Sequence, residues 1–116
     1  MKPAISLIVY PVTDVAKAKA LFTQFLGVEP YIDSPYYIGY RIGDQEVGLD
    51  PNGHQQGLTG PIGYTDVSDI HKSLQALLDA GGQEQQAIRD VGRGLLVATV
   101  KDADGNVIGM RQNPQA

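Results

Sequence analysis

The sequence contains no cysteine and no tryptophan, and the missing cysteine excludes several kinds of chemistry. Without cysteine there can be no disulfide, no thiolate nucleophile and no thiolate metal ligand, so the fold must rest on its hydrophobic core. We expect a cytoplasmic protein, because small secreted domains usually carry disulfides. The only histidines are His54 and His71. They could serve as metal ligands or as a general base, but we favour solvated surface positions for both.

Positive charge is also scarce, with 9 Lys and Arg against 13 Asp and Glu and a net charge of −4. A nucleic-acid-binding domain needs clustered basic residues, so we exclude that function. No apolar run reaches the length that spans a membrane. The N-terminal apolar run, Ala4–Val9, is short and lacks a signal-peptide cleavage site. We therefore expect neither a nucleic-acid partner nor a membrane partner.

What is present indicates one globular domain, because 42% of the 116 residues are hydrophobic. An Ile- and Val-rich run predicts a strand at Ala4–Tyr10. Apolar residues at helical spacing predict a helix over Val15–Leu26, which Thr13 or Asp14 can cap and Gly27 can end. The connection that follows is rich in turn residues. A hairpin then comes next, with strands predicted at Tyr36–Ile42 and Glu46–Leu49.

The same order of elements begins again in the second half of the chain. A strand is predicted at Pro61–Thr65, and Ser68 or Asp69 can cap a second helix that Gly81-Gly82 ends. The polar segment Gln83–Asp90 is predicted as a connection that can hold a short edge strand. The last hairpin joins strands at Gly94–Val100 and Val107–Gln112 through the turn residues Asp104-Gly105.

An internal repeat relates the two halves, because short matches recur in the same order. The matches are Val12–Val15 with Val67–Ile70, Gly27 with Gly82, and Val47–Leu49 with Ile108–Met110. We therefore predict a single domain, residues 1–116, made of two βαβββ modules. The first module covers residues 4–50, the linker 51–60, and the second module 61–112.

The paired modules, the helix entry Val67–Ile70 and the Asp-Gly-Asn turn at 104–106 resemble the vicinal oxygen chelate superfamily. Its members include glyoxalase I, bleomycin-resistance proteins and extradiol dioxygenases. The resemblance implies an α+β fold in which two βαβββ modules form a curved, partly open barrel-like sheet around a cavity. It also implies a homodimer, since similar single-domain members commonly pair.

Metal-dependent members of this superfamily bind a divalent cation through His, Glu or Gln on the first and last strands of each module. The resemblance carries those positions to Leu7, Gly48, Ile62 and Gly109. Leucine and isoleucine have no donor atom and glycine has no side chain, so none of these positions can bind a metal. We expect no metal and no cofactor, and we favour a protein that is not an enzyme while leaving catalysis open.

Strand alternation identifies the side chains that share the cavity face with Leu7. The predicted ligand-binding residues on that face are Tyr37, Arg41, Glu46, Tyr64 and Arg111. Apolar walls with a few polar groups suit a small organic ligand. Two alternatives stay open: these residues fill the hollow themselves, or Arg41 and Arg111 pair with Glu46 and Asp66.

The function predicted from this resemblance is that of a metal-free glyoxalase/bleomycin-resistance-like protein that binds or sequesters a small organic molecule. A first alternative is a lyase, isomerase or dioxygenase of the same superfamily that holds its metal through nonstandard residues such as Glu46, Asp50 or His54. A second alternative is a structural or regulatory dimer with a collapsed cavity.

Overall fold

The structure, a computed structural model, describes residues 4–58 and 60–114, with the backbone alone at Gln56. Within these ranges the order of elements is βαβββ, a loop with a 3₁₀ turn, and βαβββ again. The chain divides into two compact units. The first unit contains residues 6–62, and the second contains residues 63–114 together with 4–5. The predicted α+β class and the repeated βαβββ order are confirmed.

The first unit is a four-stranded sheet with one helix. Its elements are β1 (Ile5–Pro11), α1 (Val15–Leu26), β2 (Ile32–Ser34), β3 (Tyr37–Ile42) and β4 (Gln45–Asp50). The strands lie in the order β2-β3-β4-β1. β4 is parallel to β1, and the two other neighbouring pairs are antiparallel. The predicted bounds of α1 are confirmed.

Helix α1 begins and ends at the residues expected from its sequence. The Asp14 side chain accepts a hydrogen bond from the backbone N of Lys17 at 3.0 Å, and Gly27 adopts a left-handed φ of 73°. The helix packs on the sheet face that carries Ile38, Tyr40 and Leu49, all of which are almost completely buried. This packing leaves the opposite face of the first sheet without a helix of its own unit.

The second unit repeats the arrangement. Its elements are β5 (Ile62–Asp66), α2 (Ile70–Asp79), β6 (Gln83–Asp90), β7 (Leu96–Lys101) and β8 (Val107–Gln112). The strands lie in the order β5-β8-β7-β6. Asp69 caps α2 by accepting from the backbone N of Lys72 at 3.2 Å. Helix α2 packs through the buried Ile70 against Ala98, Val100 and Met110.

Two segments predicted as connections contain strands. The polar segment Gln83–Asp90 forms the eight-residue strand β6, and the turn-rich segment before β3 holds the three-residue strand β2. Both strands lie at the ends of the strand orders given above, where few side chains need to be apolar. Register shifts on either side of Gln86 also disturb the alternation by which a strand is recognised.

The final hairpin turns where the Asp-Gly pair predicts. Asp102 Oδ1 accepts from the backbone N atoms of Asp104 at 2.9 Å and Asn106 at 2.8 Å, and Gly105 has a φ of 86°. Within the described ranges, α1 with 12 residues and α2 with 10 are too short to cross a membrane.

Candidate functional site

The two glycines at the expected metal-ligand positions lie at equivalent places in the sheets of the two units. In each unit, we call the side of the sheet that is not packed against the helix the far face. Gly48 pairs with Val9 of β1, and Gly109 pairs with Tyr64 of β5. Val9 and Tyr64 are 55 residues apart, like the matching Gly27 and Gly82, and Gly48 and Gly109 are 61 residues apart, like the matching Val47 and Ile108. The repeat therefore extends to strand register.

A tyrosine ring occupies the side-chain space of each glycine. A β-carbon added to Gly48 would overlap the hydroxyl of Tyr37 and lie 2.5 Å from its Cζ. A β-carbon added to Gly109 would lie 2.5 Å from Cδ1 and 2.8 Å from Cγ of Tyr64. Two of the predicted ligand-binding residues, Tyr37 and Tyr64, therefore occupy the space on each far face into which a metal-binding side chain at Gly48 or Gly109 would project.

Arg41 and Glu46, two further predicted residues, lie together on the far face of the first unit and form what we call the Tyr31 cluster with Tyr31. The Tyr31 hydroxyl donates a hydrogen bond to Glu46 Oε1. The Arg41 guanidinium carbon lies 4.1 Å from the centre of the Tyr31 ring. Arg41 Nη2 is 4.0 Å from Glu46 Oε1, and the Arg41 side chain is 60% exposed. The arginine is thus held by stacking and only weakly by charge.

Tyr31 was missed by the sequence interpretation because it lies in the segment predicted as a connection. Its backbone N donates to Gly39 O at 2.9 Å, which aligns it beside β3. Burial raises the pKa of the Tyr31 phenol, and the hydrogen bond to Glu46 raises it further. A βαβββ module has three strands after its helix, and only two were assigned in the first half, so the unassigned third strand was the signal that could have placed this segment in the sheet.

Arg111 has a much tighter partner in the second unit. Its Nε donates to Asp66 Oδ1 at 2.7 Å, and the residue is only 7% exposed. The alternative in which the two arginines pair with Glu46 and Asp66 is therefore found in both units, loosely at Arg41 and tightly at Arg111. Because the residue is also almost completely buried, little of the Arg111 guanidinium is accessible to a ligand.

A second polar contact on the far face of the second unit was also missed. Thr99 is 1% exposed, and its hydroxyl donates a hydrogen bond to Gln85 Oε1. Thr99 pairs with Gly109 across β7 and β8, so this contact lies beside the Tyr64 ring. Its signal was hidden because Gln85 belongs to the polar segment that was not predicted as a regular strand.

Residues 4–110 match the family described as the Glyoxalase/Bleomycin resistance protein/Dioxygenase superfamily. The chain belongs to this superfamily. No match was found among the curated proteins. The expected resemblance is confirmed at the level of the superfamily.

Solved structures share the fold at low sequence identity. A glyoxalase/bleomycin resistance protein/dioxygenase superfamily member from Vibrio splendidus 12B01 is 17% identical with a TM-score of 0.72, covering 97% of this chain and 100% of that one. Methylmalonyl-CoA epimerase from Mycobacterium tuberculosis is 15% identical with a TM-score of 0.69, covering 95% and 87%. A hypothetical protein from Bacillus halodurans C-125 is 16% identical with a TM-score of 0.76, covering 100% and 98%.

The side chains of this superfamily member do not fit the divalent metal bound by its metal-dependent relatives. The expected first-strand positions hold Leu7 and Ile62, which have no donor atom, and the last-strand positions hold the tyrosine-covered glycines. Across residues 4–58 and 60–114, no three His, Asp or Glu side chains gather closely enough to hold a metal ion. Glu46, Asp50 and His54 lie within these ranges, so no site assembled from these nonstandard ligands is found there.

Proposed function

We propose that this superfamily member binds a small organic anion on the far face of its first unit, without the metal of its metal-dependent relatives. The environment of Arg41 is the observation that carries the proposal. Its guanidinium is stacked on the Tyr31 ring, its side chain is largely exposed, and its Nη2 lies 4.0 Å from the Glu46 carboxylate. That distance is too long for a hydrogen bond, so the donors of Arg41 are not committed to Glu46.

Stacking supports this role because it orients the guanidinium before a ligand arrives. A planar guanidinium presents paired donors that match a carboxylate or phosphate, and a ring beneath it limits its rotation. An exposed ion pair of this kind contributes at most about 1 kcal/mol, so a ligand anion can compete with Glu46. Arg41 is therefore the group we assign to the charged end of the ligand.

The neighbouring side chains suit the apolar end of the same ligand. Tyr37 lies over Gly48 on the adjacent strand, and Leu7 is the register partner of Glu46 on β1. Apolar surface beside a single oriented charge favours an aromatic or acyl carboxylate over an inorganic anion. The proposed activity is binding or sequestration, and none of these side chains is assigned a catalytic step.

A thermal-shift screen of aromatic, peptide-like and acyl carboxylates tests the proposal. A compound that binds only the folded chain raises its melting temperature. The strongest compound is then titrated calorimetrically against the unaltered protein, Arg41→Ala and Arg89→Ala. Arg89 is an exposed arginine on β6 and serves as the matched control.

We expect Arg41→Ala to weaken binding about tenfold or more and Arg89→Ala to leave affinity unchanged. Equal affinity in all three proteins would reject the assignment of Arg41. A complete absence of shifts would instead favour the structural or regulatory dimer with no ligand. The cytoplasmic location stays a prediction, which fluorescence imaging of the tagged full chain can check.

A further inference from the structure

A hollow lies on the helix side of the second unit, between α2 and the strands β5 and β8. Its volume is about 350 Å³. Most of the side chains that line it are apolar, and they include Val67, Leu77, Ile108 and Met110. Thr65 and Ser73 add two side chains that carry a hydroxyl group. Ile108 is 40% exposed, so the hollow is open to solvent beside β8. We call this hollow the α2 pocket.

The internal repeat identifies the equivalent place in the first unit. Thr65 of β5 follows Tyr10 of β1 by 55 residues, and the same number separates Leu77 of α2 from Phe22 of α1. Thr65 and Tyr10 also share a register position, since each pairs with the residue that follows the covered glycine. In the first unit two aromatic rings fill this place, because the ring centres of Tyr10 and Phe22 lie 5.1 Å apart and both rings pack on the core beneath α1.

Smaller side chains account for the α2 pocket. The second unit has threonine and leucine, Thr65 and Leu77, where the first unit has a tyrosine and a phenylalanine. Protein interiors ordinarily leave few voids larger than a water molecule, and an apolar cavity of about 150 Å³ is already large enough to bind benzene. The α2 pocket has more than twice that volume. Its size therefore suits a molecule of one or two rings.

We propose that the α2 pocket binds a small neutral aromatic molecule of one or two rings that carries a hydroxyl group. The aromatic shape follows from the first unit, where rings of the chain itself fill the same place. Neutrality follows from the lining, which includes no acidic or basic side chain among the described residues. An ion placed there would lose hydration without gaining a partner. The hydroxyl groups of Thr65 and Ser73 can donate to or accept from the hydroxyl of the ligand.

The α2 pocket is independent of the anion site proposed at Arg41. Arg41 lies on the far face of the first unit, whereas the α2 pocket lies on the helix side of the second unit. The two sites also select opposite chemistry, because a guanidinium favours an anion and an uncharged apolar lining favours a neutral compound. Arg41→Ala should therefore leave binding to the α2 pocket unchanged, and either site can fail its test without affecting the other.

Calorimetric titration with 2-naphthol, a neutral two-ring phenol, gives the first measurement. It compares the unaltered protein with Leu77→Phe, which introduces the residue that the first unit has at this position. Leu78→Phe is the matched control, because it makes the same exchange at the next residue of α2, which does not line the pocket. We expect Leu77→Phe to weaken binding at least about tenfold and both Leu78→Phe and Arg41→Ala to leave the affinity unchanged.

Nuclear Overhauser effects in the unaltered protein give the second measurement, which does not depend on how any variant folds. The ring protons of bound 2-naphthol should show these effects with the methyl groups of Leu77, Ile108 and Met110, which line the pocket. The proposal would be overturned by an absence of 2-naphthol binding, by equal affinities in Leu77→Phe and Leu78→Phe, or by a loss of binding in Arg41→Ala. Overhauser effects confined to residues outside the α2 pocket would overturn it as well.

Discussion

The two units place the same pair of features on their far faces and differ in how tightly those features are held. In the first unit, the hydroxyl end of Tyr37 covers Gly48, and Arg41 lies loosely beside Glu46. In the second, the body of the Tyr64 ring covers Gly109, and Arg111 is bonded to Asp66 while almost completely buried. The repeat has thus produced one face whose polar groups are fixed and one whose arginine is exposed. This difference is the reason for proposing that ligand recognition belongs to the first unit.

Substitution of the two arginines is expected to give the largest difference in stability between the two units. Arg111→Ala removes a buried side chain and leaves the Asp66 carboxylate without its ion pair, so we expect a loss of about 2–4 kcal/mol in the free energy of unfolding. Arg41→Ala should cost less than about 1 kcal/mol, because its ion pair is long and exposed. Urea denaturation of both variants measures the difference. Similar losses at the two positions would contradict the contrast between tight and loose pairs.

Substitution of the two glycines is expected to give the next largest loss of stability. In Gly109→Ala the added β-carbon would overlap Cγ and Cδ1 of Tyr64, so the whole ring must move, and we expect the free energy of unfolding to fall by about 2–3 kcal/mol. Gly48→Ala meets mainly the far end of Tyr37, which can swing aside, so about 1 kcal/mol is expected there.

A double-mutant cycle isolates the cause of the glycine effect. The double variant Tyr64→Ala, Gly109→Ala should lose less unfolding free energy than the sum of the two single variants, by at least about 1 kcal/mol, because the clash between the ring and the new methyl group disappears. Strict additivity in thermal or urea unfolding would show that the ring does not limit substitution at Gly109.

Titration of Tyr31 tests whether the contacts of the Tyr31 cluster in the first unit are formed in solution. Its folded-state pKa is raised, first by burial and then by Glu46, so folding favours the neutral phenol. The associated stability is fully present below the unfolded pKa of about 10 and is lost as pH rises through the folded pKa. Glu46→Gln should lower the Tyr31 pKa, and Arg41→Ala should raise it.

Tyrosinate absorbance during alkaline titration measures this pKa, with Tyr31→Phe identifying the step that belongs to Tyr31. A Tyr31 pKa that does not respond to Glu46→Gln would show that the Tyr31 cluster is not held together in solution.

The smallest effect is expected at the last hairpin of the second unit. The side-chain hydrogen bond from Asn106 is the main cause that lowers the pKa of Asp102 below its ordinary value. The stabilisation it reflects is present above the unfolded pKa and is lost as pH falls through the folded pKa. Asp102→Ala should therefore lower the melting temperature slightly at neutral pH and not at all in strong acid. A difference that persists in strong acid would assign the effect to something other than the carboxylate charge.

Local rules predicted the elements whose side chains carry their own signals. Helix α1 has a capping Asp14, a terminal Gly27 and an apolar stripe, and its bounds were predicted correctly. Strand β6 was not predicted as a full strand, because its polar residues and register shifts conceal the alternation of an edge strand. What identifies such a segment is backbone pairing with β7, which no local pattern contains.

The candidate site was predictable as a set of positions but not as a set of contacts. Strand parity placed Tyr37 and Arg41 on the far face, and the repeat located the two glycines. Neither could show that Tyr37 would lie over Gly48, since that depends on the rotamer of a side chain on another strand. Tyr31 escaped prediction for the same reason, because its role depends on contacts with Arg41 and Glu46.

The rings over Gly48 and Gly109 also make the missing chelating groups hard to restore. A glutamate introduced at Gly109 would have no room until Tyr64 was made smaller, whereas one at Gly48 would require the hydroxyl end of Tyr37 to swing aside. Converting this scaffold into a metalloenzyme would therefore require changes around both glycines, in addition to new donors at Leu7 and Ile62. The way the two rings are packed thus makes divalent-ion chemistry harder to introduce in the second unit than in the first.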